Sequence, residues 1–479
     1  MKLKPALILL LLTAGALMVH GYHPWVEDAE IYLPPVEKAL NPALFPFNAQ
    51  FFESHAHLTL FPQLIAASVR WSHLRLETAL FLWQIASMYL LLLGAWELSG
   101  RCFASLRSRW AAVALLAALF TLPVAGTALY LMDQYINPRN LTAFAALFGV
   151  SSVLQKRYGR AALFLILPMA IHPLMPFFVL SFCVLLLLMQ HWEIGRSGFA
   201  VAILPGFLQS SPAYHQAALT RHSHYPTSWH WYEWLGAIGP IVLFWWFSHI
   251  ARSRNLRNLD LLCRTLVAFG VICTLLALAV SIPPNFEALA RLQPLRGLYL
   301  VYLLFVLISG GLLGEFVLKA SWWRWAALFV PLCAGMFTAQ RALFPASAHV
   351  EWPWAAPKNQ WVQAFLWIRG NTPTDARFAL DPYHMQIEGE DENGFRAIAQ
   401  RSMLADAVKD SGAVTMFPPN AEEWLRQVQA QKNWKRFELQ DFRNLQSAYG
   451  INWVVLQWPG RAGLDCPYRN QAVMVCRLD

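Results

Sequence analysis

Two adjacent carboxylates, Glu27 and Asp28, stand just past the first hydrophobic segment, with Glu30 close behind. They lie in the stretch Tyr22-His23-Pro24-Trp25-Val26-Glu27-Asp28-Ala29-Glu30. A carboxylate within hydrogen-bond reach of a hydroxyl can take its proton as a new bond forms to the oxygen, an effect worth about 10²–10⁴-fold. Adjacent like charges should also raise one of the two pKa values, which suits a base. The pair could equally hold a divalent cation, Mg or Mn. The plainer alternative is that the two cap a helix starting near Ala29, because acidic residues favour a helix N-terminus.

Three arginines could face these acids. Arg139 lies in Asp133-Gln134-Tyr135-Ile136-Asn137-Pro138-Arg139-Asn140, in a short loop where the charge bias of membrane proteins would not place it. Arg291 and Arg296 fall near the end of a later apolar run. Arginine grips phosphate bidentately, and a charge within a membrane is costly enough to suggest function. Snorkelling to lipid headgroups is the alternative for all three. Histidines 215, 222, 224 and 230 crowd a loop that also carries Arg221, Tyr225, Trp229, Trp231 and Tyr232. His222-Ser-His224 cannot present a zinc pair on one helical face, so no metal site is expected there. Aromatic faces with polar tips suit a sugar ring, which makes His222, His224 and Trp229 candidates for a sugar or acceptor surface. An interfacial aromatic belt competes with that reading, for this loop and for His55 and His57. His172, before Pro173 in a break between apolar runs, has a better claim to face a cavity.

The elements that must position these groups are mostly membrane segments. The chain is 57% hydrophobic and only 14% charged, against roughly 25% charged for soluble domains. Apolar runs span about 77–98, 110–131, 140–154, 161–171, 173–190, 198–208, 234–250, 262–281, 293–314 and 325–341, after a first run from Ala6 to Val19. Several are shorter than the ~20 residues of a full crossing, and the pair around His172-Pro173 reads as broken, re-entrant or kinked. The boundary Met18-Val19-His20-Gly21-Tyr22 lacks a small-x-small cleavage pattern, so the first run is read as an uncleaved helix. With Lys2 and Lys4 inside, alternation places Arg101, Arg107, Arg109, Lys156, Arg196, Arg252 and Lys319 in inner loops. Glu27, Asp133, the His-rich loop and Glu287 then lie outside. The net charge of +9 follows that topology rather than a nucleic-acid partner. Residues 345–479 carry 14 basic and 15 acidic residues, leaving 23 and 13 of the totals of 37 and 28 to the membrane part.

The predicted architecture is a polytopic α-helical membrane domain of about eleven spans over residues 1–344, with an outer-face first loop at 21–76. A small extracytoplasmic α/β domain follows at 345–479. The first loop is predicted to lay helices Ile31–Leu40 and Phe51–Arg70 along the membrane surface. In the C-terminal domain Phe378–Leu380 and Trp453–Gln457 read as strands. Phe395–Val408 and Ala421–Gln431 read as helices, the second capped by Asn420. Arg396 and Arg401 are expected on the first of these, paired with Glu388–Glu392. Cys466 and Cys476 could meet across a hairpin between Asp465 and Leu478, and a disulfide there is one of two open readings.

A Glu-Asp pair in the first outer loop, basic inner loops and a soluble C-terminal outer domain together resemble the polytopic glycosyltransferases of the GT-C type. Local sequence adds to it: His23-Pro24-Trp25-Val26-Glu27-Asp28, Asn41-Pro42-Ala43-Leu44-Phe45-Pro46 and Gly394–Ser402 are similar to an uncharacterised bacterial subgroup. The resemblance implies a GT-C-like fold in the bacterial inner membrane, N-terminus cytoplasmic. It implies transfer of a sugar from a polyprenyl-phosphate carrier to an envelope glycan, lipid or protein acceptor on the extracytoplasmic face. Asp28 is then the first candidate base and Glu27 the second, with Arg139, Arg296 and Arg291 toward the donor phosphate. A non-catalytic relative, a transporter or flippase of lipid-linked envelope glycans, and an unrelated assembly factor are the alternatives. No Walker, Gly-x-Gly-x-x-Gly or Gly-x-Ser-x-Gly pattern occurs.

Overall fold

The computed structural model describes residues 3–191, 210–282, 289–461 and 463–478. It is mostly helical, with a small mixed sheet near the C-terminus. The first half runs α1 (Leu3–His20), α2 (Ala29–Leu40), α3 (Gln50–Ala56), α4 (Phe61–Ser72), α5 (Leu76–Cys102) and α6 (Leu106–Ala118). A hairpin of β1 (Pro123–Val124) and β2 (Leu129–Tyr130) leads to α7 (Pro138–Leu154), α8 (Tyr158–Ile166) and α9 (Leu174–His191). Then come α10 (Pro212–Leu219), α11 (Trp231–Ser253), α12 (Arg257–Ser281), α13 (Leu298–Leu313) and α14 (Trp322–Leu343).

Five stretches among the described residues are long and apolar enough to cross a membrane: α5, α11, α12, Leu289–Leu318 around α13, and α14. About eleven were expected, and length accounts for much of the difference. Lys4–His20, Tyr158–Ala170 and Leu174–Gln190 are apolar but shorter, and α6 and α7 have 13 and 17 residues. At 1.5 Å per residue these fall short of a ~30 Å hydrocarbon core. The 110–131 run is not one helix, because α6 stops at Ala118 and the chain turns into the β1–β2 hairpin. The 198–208 run, Arg196 and Glu287 lie outside the described residues.

Small residues set one close approach. A Cβ on Gly310 would lie 2.7 Å from the Ala111 carbonyl oxygen, and one on Gly314 2.7 Å from the Ala111 Cβ. This small-xxx-small face lets α13 press against α6. At His172-Pro173 the helical path does break. The carbonyls left open there are taken by the first loop: Leu60 N–H donates to Ala170 (2.7 Å) and the Thr59 hydroxyl to Ile171.

The C-terminal part runs α15 (Gln360–Asn371), β3 (Arg377–Leu380), α16 (Phe395–Ala399), β4 (Ser402–Met403), α17 (Asp410–Met416), α18 (Ala421–Ala430), α19 (Leu439–Tyr449), β5 (Trp453–Gln457), β6 (Asp465–Arg469) and β7 (Val473–Arg477). The sheet order is β4-β3-β5-β7-β6, parallel across β4, β3 and β5 and antiparallel beyond. Strand alternation divides its side chains between two cores. Val455, Val473 and Val475 pack with Trp361, Phe365 and Ile368 of α15, whereas Val454, Leu456 and Met474 pack with Phe442 and Leu445 of α19. Cys466 and Cys476 are joined by a disulfide across the β6–β7 hairpin.

Three expectations for this region change. The helix from Phe395 stops at Ala399, because Gln400 turns left-handed (φ 53°) and sends the chain into β4 beside β3. Asn420 precedes α18 but its side chain does not cap it; Nδ2 donates to Gln50 O (3.3 Å) and Ser54 Oγ (3.2 Å) on α3 instead. The apolar faces of the first-loop helices are covered by protein. Leu33 and Val36 of α2 and Phe61 and Ile65 of α4 are buried in the same core as Phe365, Phe378 and Val455. Each such side chain stabilises the docking by about 1.5–3 kcal/mol, so first loop and C-terminal sheet are built around one interior.

Candidate functional site at the Glu27–Asp28 loop

The acidic loop is strapped in place by the chain beyond α14. Tyr22 bridges to Val350 and Val26 to Asn393. Glu27 N–H donates to Glu392 O (2.9 Å), and Gly394 N–H donates to Trp25 O (2.8 Å). His23 stacks on Phe344 at 4.0 Å between ring centres and pairs with Glu351 at 3.0 Å. Glu27 itself is left-handed, with φ 57°, a conformation that costs a non-glycine residue about 1–2 kcal/mol. Asp28 precedes α2, and its N–H donates to Tyr135 Oη (3.1 Å). Its carboxylate makes no capping bond to α2. The structure thus bears out the helix start at Ala29 and the place of Asp28 at its N-terminus, where a negative charge is favoured, but without a side-chain capping bond.

Lys409 is what the two acids meet. Its Nζ bonds Glu27 Oε2 and lies 3.3 Å from Asp28 Oδ1. The lysine is positioned by a buried cluster. Asp406 Oδ1 accepts from the backbone N–H of Val408 (2.7 Å), Lys409 (2.5 Å) and Asp410 (3.3 Å). Arg396 grips Asp410 bidentately at 2.9 and 2.7 Å and reaches Glu30 of α2 at 3.2 Å. Arg396 is thus an ion-pair former, but with Glu30 and Asp410 rather than Glu388–Glu392. Arg401, beyond the helix, donates to the carbonyls of Arg369 (2.9 Å) and Thr372 (2.6 Å) and closes the end of α15.

Two cavities meet at Asp28. One, of about 880 Å³, opens between α2, the α8–α9 break and α17; Tyr32, His55 and His172 line it, with apolar walls from Leu58, Ile171 and Leu174. The other, of about 1550 Å³, is lined by Glu27, Tyr130, Arg139, His222 and Glu392. Asp28, Arg221, His224, Arg296 and Lys409 line both. The Asp28 side chain is 39% exposed, so it is open to a bound molecule, whereas Lys409 is 8% exposed.

The cations around this junction differ in how far they are already committed. No carboxylate among the described residues pairs with Arg296, which is half-buried on the turn before α13. Arg221 donates to Val408 O and to Ser411 Oγ (2.5 Å). A Cβ at Gly412 would come within 2.9 Å of that guanidinium, so the glycine leaves room for the arginine tip to lie against α17. Arg139 stands in the first turn of α7 and pairs with Asp133, whose carboxylate also accepts from Asn137 at 2.6 Å. It lines only the second cavity.

Electrostatics follow from this ring. Burial would raise the Asp28 pKa, but the positive charges of Lys409, Arg139 and Arg296 outweigh it and hold the carboxyl at about 2. The expected like-charge effect falls on Glu392 instead, pushed up to about 8 by burial and then by Glu27. His55 is lowered to about 4 by burial.

The structure brings Glu27, Asp28, Arg139, Arg296, His172, His222 and His224 to the two cavities. Arg291 lines neither. Trp229 packs its indole over Gly126 and against Trp234, 5.7 Å between ring centres, and is buried in the membrane-domain core. Its aromatic face serves packing. His222 is tied to Glu233 (3.1 Å) and Ser228 (3.0 Å). A divalent cation does not fit between Glu27 and Asp28, because the Lys409 ammonium holds that position. No group of three His, Cys, Asp or Glu among the described residues is arranged to hold a metal. Lys409 and Tyr32 carry no sequence signal as site residues, whereas Arg221 is marked only as a member of the His-rich loop. No family model matches the chain, and no curated protein matches it.

Proposed function

We propose that this chain is an integral membrane glycosyltransferase of the GT-C type. It moves a sugar from a polyprenyl-phosphate carrier to a hydroxyl of an envelope glycan, lipid or protein on the extracytoplasmic face. The observation that carries the reading is the junction itself: an accessible carboxylate, Asp28, shares two cavities with a guanidinium, Arg296, that no carboxylate among the described residues pairs with. The first cavity offers apolar walls for an isoprenoid chain beside Arg296 and Arg221. The second, larger and more polar in its named walls, suits an acceptor.

In the proposed step the acceptor oxygen forms a bond to the anomeric carbon while the bond from that carbon to the phosphate oxygen breaks. The electron pair leaves with the phosphate, and the hydroxyl proton passes to Asp28. A carboxylate held near pKa 2 is a weak base at rest. It suffices when proton transfer lags behind bond formation, since an attacking hydroxyl becomes strongly acidic as it gives up electron density. An arriving donor phosphate also offsets part of the positive charge that depresses the Asp28 pKa, making it a better base once substrate is bound.

The test is transfer from radiolabelled undecaprenyl-phosphate sugars by purified protein in lipid nanodiscs, wild type beside Asp28→Asn. Loss of about 10²–10⁴-fold is expected in the variant, with its fold intact by size exclusion. Equal turnover by both proteins removes Asp28 as the base. Absence of transfer from every donor by wild type would favour a binding or transport role.

A further inference from the structure

Lys409 differs from the other cations at the junction in where it comes from and where it sits. It arrives on the C-terminal domain, 382 residues after Glu27, and is anchored from behind by Asp406 and from the side by Arg396 through Asp410. Its ammonium bridges Glu27 and Asp28 and lines both cavities. A lysine that served only to dock two domains would need one carboxylate and no access to either cavity.

The geometry points to Lys409 as the resident cation of the site: a tethered ammonium seated between Glu27 and Asp28, facing the leaving phosphate, that makes transfer independent of a divalent metal. This inference rests on the transferase reading and deepens it. Burial opposes the charge on Lys409, but Glu27, Asp28 and Glu392 more than offset that and keep it protonated. When the glycosyl bond breaks, the carrier phosphate goes from a diester with one negative charge to a monoester with up to two. Lys409, Arg296 and Arg221 surround the place where that charge develops. Shifting toward phosphate, the ammonium releases part of its hold on Asp28 as Asp28 takes the acceptor proton. Charge on the leaving group and basicity of the carboxylate are then coupled through one side chain.

The experiment compares wild type, Lys409→Ala and Lys409→Arg as full-length proteins in nanodiscs. Two readouts are used: sugar transfer and retention of undecaprenyl phosphate, each with EDTA, with Mn²⁺ and with ethylammonium. Wild-type transfer should be unchanged by EDTA and unmoved by Mn²⁺. Lys409→Ala should lose about 10²–10³-fold, as for removal of one preorganised donor to a developing anion. Ethylammonium should restore part of that activity, and Lys409→Arg should stay between the two. The inference is overturned if EDTA abolishes wild-type transfer and Mn²⁺ restores it, or if Lys409→Ala turns over normally. It is equally overturned if both variants lose activity together with no response to ethylammonium, which marks a purely structural lysine. A wild type that neither transfers nor retains undecaprenyl phosphate takes down the transferase reading and this inference with it.

Discussion

Arg296 and Arg291 are five residues apart, yet only Arg296 reaches the cavities. That contrast gives a sharp pair of variants. Charge-assisted bonds to phosphate are worth about 1.5–3 kcal/mol, so Arg296→Ala should raise the donor KM by roughly tenfold to a hundredfold. Arg296→Lys keeps the charge but loses the fork and should fall between. Arg291→Ala should match wild type in a donor titration; a larger defect at Arg291 than at Arg296 would mean the phosphate side is misplaced. Asp28 and Arg296 were legible because charge is scarce in an apolar chain and each exception attracts notice. Lys409 was not, since it is one of 14 basic residues in a nearly neutral domain and only the fold carries it to Glu27. Trp229 misled for the opposite reason: an aromatic among histidines looks like a sugar platform until a neighbouring glycine proves to be its packing partner.

At the scale of elements, α2 is joined to the C-terminal domain by a guanidinium with too many partners. Arg396 faces Glu30, Asp410 and, at 3.9 Å, Asp406, all with buried side chains. One positive charge does not balance three carboxylates, so the cluster holds a proton. Burial and then the neighbouring Asp406 and Asp410, against the pull of Arg396, raise Glu30 to about 8. A carboxyl whose folded pKa lies above its unfolded value of 4.5 stabilises fully below that unfolded value. The contribution is lost as pH climbs through about 8. The unfolding temperature should therefore fall between pH 5 and pH 9. Glu30→Gln, which has no such proton to lose, should flatten the fall; an unchanged slope would locate the proton elsewhere. The sequence showed β5 and most of β3 as short apolar runs in a water-soluble stretch, and it showed α2. It missed β4 because helical spacing from Phe395 continues past Gln400, where a single left-handed residue redirects the chain. It missed the burial of the first-loop helices because amphipathic faces look the same whether lipid or protein covers them.

For the whole molecule, the proposed topology puts the N-terminus inside and the C-terminal domain outside, which requires an odd number of crossings. Alkaline phosphatase fused after the last residue should be active in cells and a fluorescent protein there dark; the reverse result would invert every loop assignment. An outer location also suits the Cys466–Cys476 disulfide, since such bonds persist in oxidising compartments. The bridge between Lys409 and Glu27 has one more consequence, which concerns the order of synthesis. Glu27 leaves the ribosome 382 residues before its partner, a gap of roughly 20–80 s at about 5–20 residues per second. Throughout that interval the membrane segments can insert while the carboxylates lack their ammonium. In the proposed topology the carrier lipid first meets a finished site only after the segment that carries Lys409 has been exported and folded. Export and folding of the segment that carries Lys409 is then the event that completes the proposed site, and a chain stalled before that segment lacks the ammonium.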